Sequence, residues 1–161
     1  MLAILQQVLA NDVLVAALLA CGIAQFSKLI VEGVRDRRLN WHVLIETGGM
    51  PSSHSALVAA LATAVGRQQG WGSLEFAVVT VFAIIVMYDA AGVRWAAGRQ
   101  ARILNLISEQ VLTSQEDSDE DAIERLKEVL GHTRLEVLVG AALGVAIALL
   151  LEPALSLSEW L

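Results

Sequence analysis

The sequence predicts an all-α membrane protein, a bundle of about four transmembrane helices with short interfacial or cytoplasmic helices. Three observations carry that prediction. Hydrophobic residues make up 56% of the 161 positions and mean hydropathy is +0.61, too apolar for an ordinary soluble domain. The apolar residues fall into four runs rich in Leu, Ala and Val with no polar face, as helices buried in protein or lipid require. Chemistry-bearing residues cluster at the ends of those runs, where each is flanked by His, Lys, Arg, Ser or Glu. The length suits a single domain over 1–161.

The runs are Val13–Ile30, Ala56–Gly66, Phe76–Tyr88 and Val137–Leu151. Each strictly apolar stretch is short against the ~20 residues of a span. One or two further helical turns at one end bring each to length. Those turns carry Lys28, Glu32 and Arg35 on the first run, and Ser52, Ser53 and His54 on the second. They carry Asp89 and Arg94 on the third, and His132 and Glu136 on the fourth. Ionisable groups at such depth are expensive and mark function. Residues Leu2–Ala10 form a further short interfacial helix or extend the first span.

The chain can be threaded from these ends. The first helix stops near Arg35 and the second starts near Pro51, so both ends share a side. Gly70 and Gly72 suit a tight reversal between Arg67 and Ser73. The third helix returns to end near Arg94, and the fourth leaves from Arg134. Every polar flank therefore reaches one face. Lys28, Arg35, Arg37, Arg38, Arg94, Arg99, Arg102, Arg125, Lys127 and Arg134 lie there, with Arg67 opposite. The positive-inside rule makes that face cytoplasmic and puts both termini outside.

The connection 97–131 is long, cytoplasmic by this topology, and acidic at QEDSDED. Its stretch GRQARILNLISEQVL has helical periodicity and continues the third helix or lies on the membrane surface. Ser118 and Asp121 resemble a capping box, and Gly131 suits a C-cap. The acidic run reads first as a solvated helix start and loop, with a divalent-cation site as the rarer reading. Gly140 and Gly144 form GxxxG and allow close helix contact, within one chain or between chains. His42, beside Trp41, reads as an interfacial residue.

Composition excludes several classes. A formal net charge of −6 argues against nucleic acid. The single cysteine, Cys21, lies in an apolar run and allows no disulfide framework. MLAILQQVLAND has no Lys or Arg, so it lacks the charged start of a signal peptide. The three histidines match no zinc-ligand spacing.

What remains is an anion site. GGMPSSHSA places a proline in the first turn of a helix, with two serines and His54 at its mouth. Unpaired N–H groups and the helix dipole favour negative charge there. Lys28 and Arg35 are seven apart on one face, and His132 and Glu136 are four apart. A carboxylate on one imidazole nitrogen leaves the other free to attack. Phosphoryl transfer asks for cations on the equatorial oxygens, an in-line nucleophile and an acid for the leaving oxygen. Lys28, Arg35 and Arg94 offer the first, His132 the second and His54 the third, with no cofactor or metal required. Asp89 reads as the ion-pair partner of Arg94. The rival readings are Lys28 and Arg35 as snorkelling anchors and His54 as a capping histidine.

Lys28-x6-Arg35, PSSH at 51–54 and His132-x3-Glu136 together resemble the three signatures of the type 2 phosphatidic acid phosphatase and vanadium haloperoxidase superfamily. With GGMPSSHSA, YDAAGVR, GRQARILN and LKEVLGHTRLEV, the chain looks like its divergent bacterial and plastid branch over roughly residues 20–145. The resemblance implies a metal-independent phosphatase in a bacterial inner or plastid-type membrane, acting through a phosphohistidine. Its substrate would be a lipid phosphate or prenyl diphosphate. By it Lys28, Arg35 and Arg94 bind phosphate and Ser53 helps through its hydroxyl or N–H. His54 is then the acid, His132 the nucleophile and Glu136 its orienting partner. The chain departs from the pattern in four places: Asp36 follows the motif arginine instead of Pro, and Ser53 replaces Gly. No Ser-Arg pair precedes His132, and Glu136 replaces Asp. These departures favour the rival reading, a non-catalytic membrane protein that binds a phosphate headgroup or supports a membrane assembly or homo-oligomer. A soluble helical bundle is the third reading.

Overall fold

The computed structural model describes residues 2–36, 49–113, 126 and 131–156. Among them the chain forms six helices: α1 (Leu2–Leu9), α2 (Asp12–Asp36), α3 (Ser53–Gln69), α4 (Leu74–Ala91), α5 (Val93–Thr113) and α6 (Arg134–Ser156). The arrangement is all-α. Three stretches are long and apolar enough to cross a bilayer: Asp12–Val31, Leu74–Gln110 and Arg134–Leu151. The fourth bundle helix, α3, has 17 residues, a length of about 26 Å at ~1.5 Å per residue.

α3 is the axis of the molecule, with α2, α4 and α6 packed around it. Its composition explains this. Ala56, Ala59, Ala60, Ala62, Ala64 and Gly66 are all buried. Such short side chains let neighbouring backbones come close, which is how helices associate where lipid removes the hydrophobic drive. Ala20 and Ala24 of α2 meet Ala56 and Ala60 of α3 and Ile147 and Ala148 of α6 in one cluster. Val58 and Ala62 meet Ala83 of α4 in another.

The large apolar side chains point the other way. Leu18, Ile23, Phe26 and Ile30 of α2 are exposed, as are Val78, Phe82, Ile84 and Ile85 of α4 and Leu138 and Leu150 of α6. Small residues inside and large apolar ones outside is the reverse of a soluble bundle. It is what a hydrocarbon solvent favours.

The glycine pair of α6 works within the chain. A Cβ on Gly140 would sit 3.0 Å from the Ser52 nitrogen, and one on Gly144 would sit 2.9 Å from the Ala56 Cα. Gly140 and Gly144 therefore seat the first turns of α3 on α6 and answer whether GxxxG acts inside or between chains. At the far end Gly70 closes α3 at φ 93°, Ser73 caps α4, and the Ser73 N–H donates to the Gly70 carbonyl at 3.1 Å.

One expectation needs correction. Pro51 does not occupy the first turn of α3. Ser52 is the N-cap and Ser53 the first helical residue, so Pro51 stands one position before the cap. As the periodicity of GRQARILNLISEQVL predicts, the connection 97–131 is helical at its start: α5 begins at Val93, directly after Gly92, and runs to Thr113. Trp41, His42, the Ser118–Asp121 pair, the acidic run and Arg37, Arg38, Arg125 and Lys127 lie outside the described residues.

Candidate functional site

The site begins with the cap of α3. The Ser52 hydroxyl accepts from the Ser55 N–H at 3.3 Å and from the Ser55 hydroxyl at 3.0 Å. The Ser52 N–H donates to the Glu136 carbonyl at 3.1 Å, tying the mouth of α3 to the first turn of α6. Ser52 is thus spent on structure. Ser53 is buried at the first helical position, and His54, the next residue, is exposed at the mouth.

The start of α6 is held as firmly. Gly131 has φ 83°, and a Cβ there would lie 2.7 Å from the Arg94 carbonyl carbon. Only glycine fits such a conformation against a neighbouring backbone. One residue on, the His132 N–H donates to the Ala90 carbonyl at 2.9 Å. These two ties lock the His132 backbone to the α4–α5 junction.

Glu136 then does two jobs. Its carboxylate accepts from the Thr133 N–H at 3.1 Å while the Thr133 hydroxyl accepts from the Glu136 N–H at 3.3 Å, a reciprocal capping box. The same oxygen, Oε2, lies 3.1 Å from His132 Nδ1. A carboxylate only accepts, so the proton sits on Nδ1 and the lone pair on Nε2. His132 is 3% exposed. Burial pulls its imidazole below the usual histidine range, and the Lys28 charge adds to that. The Glu136 carboxylate and a backbone hydrogen bond with Gly49 push back. Burial is the largest of these effects, so the ring is neutral at pH 7.

His54 and His132 face one recess. Their ring centroids are 6.4 Å apart and their planes tilted by 58°. The recess is lined by His54, Val86, Asp89, Ala90, Arg94, Gly131 and His132. Arg94 reaches it from the first turn of α5, with its Nε donating to Asp89 Oδ2 at 2.7 Å. Lys28, on α2, is 1% exposed, and its charge acts on both imidazoles. A larger groove of about 1250 Å³ lies at the opposite end of the bundle, lined by Asn11, Leu61, Val65, Gln68, Glu75 and Val79 among others. It holds no pair of imidazoles, so size does not single it out.

Of the residues expected from sequence, His54, Arg94 and His132 line the recess together. Glu136 stands behind His132, Ser53 precedes His54, and Lys28 is buried within electrostatic range. Arg35 lies on α2, two turns beyond Lys28, and its side chain is outside the described residues. Sequence reasoning missed the Thr133–Glu136 capping box, although its T-x-x-E signature was legible directly after His132. The grip of Gly131 on the α4–α5 junction had no local signal beyond the glycine itself.

Comparison with known proteins agrees with this architecture. A family model described as "Divergent PAP2 family" matches residues 9–147. The chain is 38% identical over 152 residues to the uncharacterized membrane protein YuiD of Bacillus subtilis (strain 168), covering 90% of this chain and 96% of that protein. No solved structure matches the chain. Six helices among the described residues, three stretches of membrane-spanning length and composition, and a family match over most of the sequence lead to one conclusion: this is an integral membrane protein, and it belongs to the divergent PAP2 family.

Proposed function

We propose that the protein is a metal-independent phosphatase for an amphiphilic phosphoester, a lipid phosphate or a prenyl diphosphate, with its recess on the cytoplasmic side. One observation carries the reading: two imidazoles converge on a single recess, and one of them has its Nδ1 on a carboxylate. In this reading His132 Nε2 attacks phosphorus, an N–P bond forms and the ester P–O bond breaks. His54 gives its proton to the leaving oxygen. Water, deprotonated by His54, then attacks the phosphohistidine, releases phosphate and restores both rings. Lys28, Arg35 and Arg94 hold the phosphoryl oxygens, with Ser53 as an added donor. The seat of the recess at the end of a lipid-embedded bundle favours a substrate with an apolar tail.

The test is phosphate release from phosphatidate and prenyl diphosphate by the purified protein. His132→Ala is expected to lower kcat by roughly a thousandfold or more. Equal turnover in that variant would remove the mechanism.

A second reading keeps the pocket without the chemistry: binding of a phosphate headgroup, alone or within a membrane assembly. The Asp89 carboxylate on Arg94, together with Ser53 at the glycine position, favours it. Phosphate-lipid binding with no turnover in any variant would decide for this reading.

A further inference from the structure

Asp89 has no part in the proposed phosphoryl transfer, yet it lines the recess beside His54, Arg94 and His132. Its Oδ2 takes the Nε–H of Arg94 at 2.7 Å. A guanidinium grips phosphate best by two parallel N–H groups along one edge. The edge that includes Nε is already held by Asp89. A carboxylate and a phosphate are competitors for the same donors, and a carboxylate lining the recess repels any further anion there. Both partners of the pair are about half exposed, 51% for Arg94 and 40% for Asp89. An ion pair this open to water is weak and displaceable. It sits five residues apart across the α4–α5 junction, so a side-chain rotation frees Arg94 without moving a helix.

We infer that Asp89 is a specificity-determining residue of the recess: it occupies Arg94 as an internal surrogate for phosphate, and a ligand must displace it to bind. This rests on the reading of the recess as a phosphate site. Its consequence is selection by what the ligand brings besides phosphate. Inorganic phosphate has only its charge to set against Asp89 and is held weakly, which also lets it leave. A phosphate carried on an apolar tail gains further binding from the bilayer end of the molecule and displaces the carboxylate.

The experiment is a binding measurement on the full chain in detergent, with inorganic phosphate and vanadate as probes, followed by calorimetry or phosphorus NMR. Asp89→Asn keeps the shape of the side chain and an oxygen to accept from Arg94, but loses the charge. The expected result is about three- to tenfold tighter binding of both probes. Arg94→Gln supplies the second background, and there the Asp89→Asn gain should shrink to the part that charge repulsion alone supplies, as a double-mutant cycle requires when one residue acts largely through the other. An unchanged or weaker affinity in Asp89→Asn overturns the inference while leaving the phosphate site intact. An equal gain in both backgrounds overturns the route through Arg94. Absence of phosphate and vanadate binding in wild type and Asp89→Asn alike overturns this inference and the site reading together.

Discussion

At the scale of single residues, His132 shows two opposed effects on one ring. Burial disfavours the imidazolium, while the Glu136 carboxylate favours it, and burial is the larger. The folded ring therefore protonates below the ordinary value of 6.5. If Nε2 is the nucleophile, its protonation should not begin to lower kcat/KM until the pH is below 6.5. Glu136→Gln removes the group that raises the ring, so the acidic limb should move lower still while the rate drops. A pH–rate profile of the two proteins checks both signs. The same shift acts on stability. On acidification the unfolded chain takes up this proton first, so the His132 contribution is full above pH 6.5 and declines from there toward the folded-state value. Thermal unfolding across that window should show the decline, and His132→Gln should flatten it.

At the scale of helices, the α3–α6 seam decides whether a site exists. Gly140 and Gly144 let the backbone of α6 touch that of α3 beside Ser52 and Ala56, at the end where His54 projects. Adding a methyl to Gly144 forces backbone against backbone, which no rotamer relieves. Gly144→Ala should cost about 1–3 kcal/mol, and Gly144→Leu should abolish folded protein. Gly22 of α2 is the control, because a Cβ there meets nothing within 4 Å. Gly22→Ala should be neutral or stabilising by up to about 1 kcal/mol through helix propensity alone. Thermal unfolding in detergent separates the two outcomes. The same chemical change has opposite signs because one glycine is a contact and the other is only a helical position.

At the scale of the whole molecule, the packing is inside out. Alanines, serines and Gly66 of α3 fill the centre, and leucine, isoleucine and phenylalanine of α2, α4 and α6 face outward. Extraction should require detergent. Gly72, between α3 and α4, and Gln100, on α5, are both exposed and lie at opposite ends of α4. In a Cys21→Ala background, Gly72→Cys and Gln100→Cys should label with an impermeant thiol reagent from opposite sides of the membrane. The charge distribution predicts Gln100→Cys on the cytoplasmic side. Labelling of both from one side would break the threading of the bundle.

Much of this was legible in the chain. The apolar runs Val13–Ile30, Ala56–Gly66, Phe76–Tyr88 and Val137–Leu151 lie within α2, α3, α4 and α6, which extend at their polar ends, although Ser52 is only the cap of α3, Arg94 falls on α5 beyond Gly92 and His132 stands two residues before α6. Counting passes across the membrane by itself brings His54, Arg94 and His132 to one end. The helix boundary at Pro51 is not legible in the sequence because proline is tolerated both inside a first turn and just before a cap, and only the backbone of Ser52 separates the two.

What sequence determined alone was the helices, their membrane character and the face on which the polar ends meet. These follow from local sums: hydropathy over a run, and the alternation of direction from one run to the next. Tertiary structure decided the rest. It decided that His54, Asp89, Arg94 and His132 line one recess, that Gly131 grips the α4–α5 junction, and that the α6 glycines meet α3. Each of these depends on how closely two helices approach and how they are rotated. That is set by side-chain packing between segments, and no local pattern along the chain encodes it.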